Sequence, residues 1–280
     1  MSNFNICIVQ PTGYLHSLAF LELAELILYS LIDLGHKSVL NFNRVDSNAT
    51  NIIIGCHLLD PSRATTLPPD TIILNTEQLE GNPSPWRTNI LEWGRRFQIW
   101  DYSTKNIHWF SQNGIIQAKQ LRIGYQRQLE RLKQNAPKDI DILFYGCINQ
   151  RRLKILNELE NTGLCVKHLF GIYGSDRDRW IERSQLVLNV HYYESQIFEI
   201  VRVFYLITNS VAVISEINNT TSIDIIYKPA IESCQYTNLT NRVTTILNQP
   251  TIIQELRQKA HAEISKYPQK YFTEILLTKL

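Results

Sequence analysis

Net charge is almost absent from this chain of 280 residues: 28 lysine and arginine side chains face 26 aspartates and glutamates, a formal +2. Such a balance produces no long-range field of the kind that gathers proteins onto nucleic acid or anionic membranes. Bulk charge therefore names no partner. Cysteine is scarce too. Cys7, Cys56, Cys147, Cys165 and Cys234 are odd in number, with no CxxC pair and no histidine at metal-ligand spacing. That excludes a disulfide framework and a structural zinc site; the thiols read as reduced and packed as small apolar residues. The amino terminus, MSNFNICIVQ, lacks the basic-then-apolar order of a leader, and the apolar runs read as shorter than a membrane span. A soluble, cytoplasmic protein is expected, peripheral attachment to the inner face of a membrane being the variant. Internal repeats and low-complexity segments are missing as well.

What is present is a large apolar fraction, 44%, in a chain long enough to bury close to three quarters of its unfolded surface. A strand at 5–10 runs into the turn Pro11-Thr12-Gly13 and then a helical pattern. There Phe20, Leu21, Ala24, Ile27, Leu28 and Leu31 recur at spacings of three and four, with Ser17 as a cap and Gly35 as a stop. Nearly continuous β-branched runs at 51–54 and 71–74 fit parallel strands covered on both faces. After a polar, basic stretch at 117–138 the alternation restarts: strands at 141–145, 164–170, 186–191 and 211–215, with helices at 152–162, 176–183 and 197–208. This is the rhythm of doubly wound α/β domains. The division expected is residues 1–130, residues 131–265, and a carboxy-terminal helix over 266–280 beyond Pro268.

Neither half holds a full GxGxxG or GxxxxGK[ST] pattern, so an ordinary dinucleotide site and a P-loop are excluded. The second half has instead Tyr145-Gly146-Cys147-Ile148-Asn149-Gln150-Arg151-Arg152 at the end of a strand and the start of a helix. A small loop and a helix amino terminus present N–H groups to an anion, and arginines add bidentate phosphate contacts. Arg151 and Arg152 can equally form a solvated first turn, although cations there oppose the helix dipole unless an anion offsets them. A second constellation is Asn189, His191, Tyr192, Tyr193, Glu194, Glu199 and Arg202, followed by Ser215 and Glu216, carboxylates and aromatics placed where a sugar or ribose could bind. Glu199 and Arg202, three apart, can also simply pair with each other. In the first half, Gly13-Tyr14-Leu15-His16-Ser17 offers His16 as a proton acceptor or as a structural histidine. Glu77, Gln78, Asp101 and Tyr102 follow strand-like runs and could complete that wall. Asp176-Arg177-Asp178 looks like a metal-holding DxD, but Ser175 and Asp178 match a capping box, and no metal is expected.

With these pieces in place the chain resembles bacterial glycosyltransferases of the GT-B architecture, specifically the short "group 1", family 4-like type. The resemblance is carried in order by GYLHSLAFLELAELI, NTEQL, IWDYS, IGY, DILFYGCINQRR, LFGIYGSDRD and LVLNVHYYESQIFEIVRVFYLITNSVAVISE. It implies two Rossmann-like domains facing across a cleft, the second holding a nucleoside-diphosphate sugar and the first an acceptor. It implies that Gly146 and Arg151, with Arg152 as the alternative, contact the diphosphate, and that Glu199 contacts sugar or ribose. Asn149, His191, Tyr192, Tyr193, Glu194, Arg202, Ser215 and Glu216 line the donor pocket, and Gly13, Tyr14, Glu77, Gln78, Asp101 and Tyr102 the acceptor side. His16 would be the base. No resident cofactor or metal is implied, the nucleotide sugar being a co-substrate. Acceptors of the type are a glycan, a lipid-linked sugar, a peptide or a small metabolite, and no nucleic acid. Where the family often has a second glutamate, this chain has Arg202. A catalytically silent nucleotide-sugar or protein-binding module, or a sugar-nucleotide epimerase, are the alternatives on the same fold.

Overall fold

The β-branched runs form the centres of two all-parallel sheets in the computed structural model, which describes residues 1–80, 85–193 and 196–278. The chain divides into two units, Met1–Gln126 with Pro268–Leu280, and Arg127–Tyr267.

In the first unit, β1 (Asn3–Ile8), β2 (Lys37–Phe42), β3 (Thr50–Ile54), β4 (Ile72–Asn75), β5 (Gln98–Asp101) and β6 (Lys119–Gln120) lie in the order β2-β1-β3-β4-β5-β6. Ile52, Ile53 and Ile54 of β3 and Ile72, Ile73 and Leu74 of β4 are all buried, the residue type expected of strands covered on both faces. β2, absent from the sequence expectation, is an edge strand whose Val39 stays half exposed. It has no continuous apolar run because only one of its faces is covered.

Helix α1 (Leu21–Asp33) lays Leu23, Leu26, Ile27 and Leu31 onto this sheet. A 3-10 turn, Leu15–Phe20, precedes it, and Ser17 lies inside that turn: its buried Oγ donates to Val9 O at 2.7 Å, tying the turn to the end of β1 and not capping the helix. Together Leu15–Asp33 is long and apolar enough to cross a membrane by length and composition, contrary to the sequence expectation. Its apolar stripe is occupied by the sheet, as in a core helix. Gly35, with φ +83°, supplies the left-handed residue that ends α1. Helices α2 (Arg87–Gly94) and α3 (Thr104–Gln112) complete this part, α3 capped by Ser103.

The second unit contains β7 (Ile140–Tyr145), α4 (Gln150–Asn161), β8 (Val166–Leu169), α5 (Gly174–Glu182), β9 (Ser184–Asn189), α6 (Ile200–Thr208), β10 (Val213–Glu216), β11 (Glu232–Cys234), α7 (Leu239–Leu247) and α8 (Pro250–Ile264). Strand order is β11-β10-β9-β7-β8, so the chain leaves β7 toward β8 and returns to its other side as β9. The expected capping box is not formed: Ser175 and Asp178 lie within α5, Asp176 pairs with Arg179, and Asp178 receives Arg177 at 2.7 Å and the Tyr205 hydroxyl at 2.8 Å.

After Pro268, α9 (Gln269–Leu277) belongs with the first unit. Gln269 Oε1 accepts the Gly124 N–H at 2.6 Å, and Thr273 shares a buried 2.8 Å hydrogen bond with Ser30 of α1.

Candidate functional site

In an open parallel sheet, ligands bind outside the carboxyl ends of the strands at the point where strand order reverses. In the second unit that point lies between β7 and β9, and the second-half candidates gather there. Asn149 caps α4 by accepting the Arg152 N–H at 3.0 Å, while its Nδ2 donates to Tyr192 O at 2.8 Å, tying the helix start to the loop after β9.

The arginines of the first turn of α4 are engaged by the protein itself. Arg151 is held bidentately by the fully buried Glu216, lies 3.9 Å over the Tyr236 ring, and donates to His191 O at 3.1 Å. Arg152 is buried; its Nε and Nη2 donate to Val190 O at 2.9 and 2.6 Å and its Nη1 to Cys147 O at 2.8 Å. Burial, reinforced by the nearby positive charge of Arg202, lowers the pKa of Arg152 to about 9. The anions that offset these cations at the helix start are the protein's own Glu216 and Glu199.

Glu199, immediately before α6, accepts Asn189 Nδ2 and His191 Nδ1, each at 3.0 Å, and lies 3.6 Å from Arg152. Burial alone would raise its pKa; His191, Arg202 and Arg152 outweigh that and hold it at about 2. The expected Glu199 to Arg202 pair gives way to another arrangement: Arg202 Nη1 donates to Asn189 Oδ1 at 2.8 Å. Asn189 Nδ2 also reaches Ser215 Oγ at 3.0 Å, and His191 Nε2 lies 3.1 Å from Thr221. Gly146 has φ +132°, and a Cβ there would lie 2.8 Å from Arg202 Nη2 and 3.8 Å from Arg152 Nη1. Gly146, Asn149, Arg151, Arg152, His191, Tyr192, Glu199, Arg202, Ser215 and Glu216 thus form one connected group, with Tyr193 packed edge-on against Tyr192 at 4.8 Å. Glu194 lies outside the described residues. Tyr236 was missed because it comes from a 3-10 turn 85 residues away from Arg151 in sequence.

In the first unit, Gly13 has φ +77° and His16 sits edge-on to Tyr14 at 5.2 Å. Asp101 is buried at the end of β5 and accepts Asn75 Nδ2 at 2.6 Å, Ser103 N at 2.7 Å and Asn106 Nδ2 at 2.9 Å. Burial nevertheless pushes its carboxyl up to about 7. Asn75 and Asn106 also donate to the Glu77 carbonyl, at 2.9 and 2.7 Å. They clamp the backbone of Glu77, whose side chain, 22% exposed, faces His57 at 3.5 Å. Burial raises Glu77 to about 7 and lowers His57 to about 4. Asp101 therefore supports this wall from within, while Gln78 and Tyr102 flank it half-buried. A cavity of about 560 Å³ opens where β1 and β3 end, lined in part by Gln10, Thr12, Asn43, Arg63, Leu58 and Trp93.

The raised pKa of Glu77 has a thermodynamic consequence. A carboxyl that binds its proton more tightly when folded stabilises the fold below its unfolded value, and that contribution is lost as pH rises through about 7. Glu77→Gln should therefore gain stability relative to the parent protein as pH is raised from about 5 to about 8, read by urea unfolding. A constant difference across that range would contradict the assignment.

No protein-family model matches the chain. Among curated proteins, L140 of Acanthamoeba polyphaga mimivirus is 25% identical over 266 residues, covering 87% of this chain and 83% of that protein. L137 of the same virus is 32% identical over 179 residues; that match covers 62% of this chain and 24% of L137, so the chain spans about a quarter of that relative. Among solved structures, T4 phage β-glucosyltransferase in complex with its UDP-glucose substrate aligns over 99% of this chain and 98% of its own, with TM-score 0.62 and 11% identity. WaaG, a glycosyltransferase of lipopolysaccharide biosynthesis, aligns over 98% of both chains, with TM-score 0.58 and 11% identity. The fold is that of the GT-B glycosyltransferases. AviGT4, a glycosyltransferase of avilamycin A biosynthesis, shares it at TM-score 0.58 and 11% identity, over 100% of this chain and 97% of its own.

Proposed function

We propose that the protein is a glycosyltransferase that moves a sugar from a nucleoside-diphosphate sugar to an acceptor hydroxyl. The observation that carries this reading is the convergence of the Arg152 and Arg202 guanidinium groups on Gly146, at the strand-order reversal of a fold shared with glycosyltransferases. Guanidinium groups and helix amino termini can stabilise a departing diphosphate without a resident metal, the mode we propose here. The ordered motif series supports the short "group 1", family 4-like type. The near-zero net charge favours a glycan, lipid-linked sugar, peptide or small metabolite over nucleic acid as acceptor, and a cytoplasmic setting suits a nucleotide-sugar donor.

The second unit would hold the donor through Gly146, the capped start of α4, and Glu199 with its partners Asn189 and His191. The first unit would hold the acceptor, for which its cavity offers a place. A base there would take the acceptor's proton in an inverting single displacement. His16 is the candidate suggested by sequence. Glu77, whose clamped, partly exposed carboxyl faces His57 at 3.5 Å and is raised to about 7, is the second candidate of this unit, although neither residue lines the cavity itself.

A thermal-shift screen against nucleoside diphosphates and their sugars tests the donor reading. At a ligand concentration one hundred times Kd, binding adds about 2.7 kcal/mol to the stability of the native state. One diphosphate and its sugar should therefore raise the melting temperature by several degrees. A screen in which every nucleotide leaves it unchanged at millimolar concentration contradicts the reading.

A further inference from the structure

We propose that Arg202, and not Arg151, is the arginine that grips the donor's diphosphate, the anion lying beside the end of β7. The inference deepens the donor-site reading and rests on it. Four arginines lie around the end of β7; Arg177, 5.6 Å over the Tyr145 ring, pairs with Asp178, and the structure distinguishes Arg151, Arg152 and Arg202 by what their donors already do. Arg151 spends its guanidinium on Glu216 and the His191 carbonyl, with one face covered by Tyr236. Arg152 gives its Nε, Nη1 and Nη2 to the Val190 and Cys147 carbonyls. Arg202 donates through Nη1 to Asn189 alone, and among the described residues its Nη2 has no hydrogen-bond partner.

That open donor is held in place. Asn189, which fixes Nη1, is itself bonded to Ser215 and Glu199, and the guanidinium lies 5.7 and 5.5 Å from the ring centroids of Phe144 and Tyr145. Glycine is required beside it: the Cβ that Gly146 lacks would lie 2.8 Å from Arg202 Nη2. A side chain at this position would clash with the guanidinium, so glycine is what lets Arg202 lie against the end of β7. Among the described residues, cations outnumber carboxylates here as well. Glu199, already bonded to Asn189 and His191, is among the described residues the carboxylate whose charge acts on both Arg152 and Arg202, and the mutual repulsion of these two cations is part of what lowers the pKa of Arg152. A diphosphate would relieve that repulsion and complete the Arg202 fork.

Titration calorimetry on the full chain tests this with two probes, inorganic pyrophosphate and UDP, the first of which is independent of base and sugar. Arg202→Gln should weaken both by about tenfold or more, the size of one hydrogen bond to a charged group. Arg202→Lys should recover part of the loss, keeping the charge without the fork. The double variant Arg151→Gln, Glu216→Gln, which removes that ion pair without stranding a buried charge, should lose less than Arg202→Gln. Wild-type affinity in Arg202→Gln, or an equal loss in the double variant, overturns the assignment while leaving the donor site standing. A parent protein that binds neither probe, and no nucleotide in the thermal screen, overturns both.

Discussion

Truncating Glu216 to alanine is expected to destabilise the second unit by about 3–5 kcal/mol, the cost of breaking a buried ion pair from one side. Glu216 is fully buried at the end of β10, holds the Arg151 guanidinium bidentately, and accepts the His191 N–H at 3.0 Å and Asn218 Nδ2. Its removal strands all three donors. Because 25% of the Arg151 side chain reaches solvent, water can take over some of the lost contacts, and the lower part of the range is expected. Against a total stability of about 5–15 kcal/mol this is a large fraction. Urea unfolding followed by circular dichroism measures it, and the double variant Arg151→Gln, Glu216→Gln should recover much of the loss. A single truncation costing less than about 1 kcal/mol, the usual value of an exposed pair, would show that the pair is not the tie described.

Glu199→Gln is expected to show a second large effect, one that depends on pH. The folded pKa of Glu199 is depressed to about 2 from the model-peptide value of 4.5, so its contribution is fully present above the unfolded value and lost as pH falls through about 2. At neutral pH the substitution should cost about 3 kcal/mol, by the conversion of roughly 1.4 kcal/mol per pH unit. As pH is lowered from about 5 toward 2 the variant and the parent should converge. The loss comes from leaving Arg152, Arg202 and His191 around a neutral amide. A difference that stays constant with pH would mean that Glu199 acts through packing and not through its charge.

The two doubly wound sheets were legible because their central strands are buried on both faces and therefore read as β-branched runs. The same logic hid β2, whose exposed edge breaks the run, and the 3-10 turn before α1, where Ser17 serves the end of β1 instead of the helix. The second-unit candidates were legible as a set because they sit at strand ends followed by helix starts. Their pairings were not. Arg151 finds Glu216, 65 residues away, and Arg202 is drawn from the neighbouring Glu199 to Asn189, 13 residues away, because parallel sheets bring strand ends together irrespective of sequence distance. Periodicity on one helix could suggest only the local Glu199 to Arg202 pair. In the first unit, Glu77 and Asp101 were both visible after strand-like runs, but their division of labour depends on burial: Asp101 lies beneath the surface, and the carboxyl of Glu77 reaches it.

The proposed nucleotide-sugar site lies at the β7 and β9 strand ends of the second unit. A crystal structure of the chain soaked with the nucleotide sugar that raises its melting temperature most tests this directly. The account predicts the diphosphate against Gly146 and the start of α4, within hydrogen-bond distance of Arg202, with Arg151 still paired to Glu216. A nucleotide bound in the first-unit cavity, or a diphosphate contacted by Arg151 after release from Glu216, would contradict it.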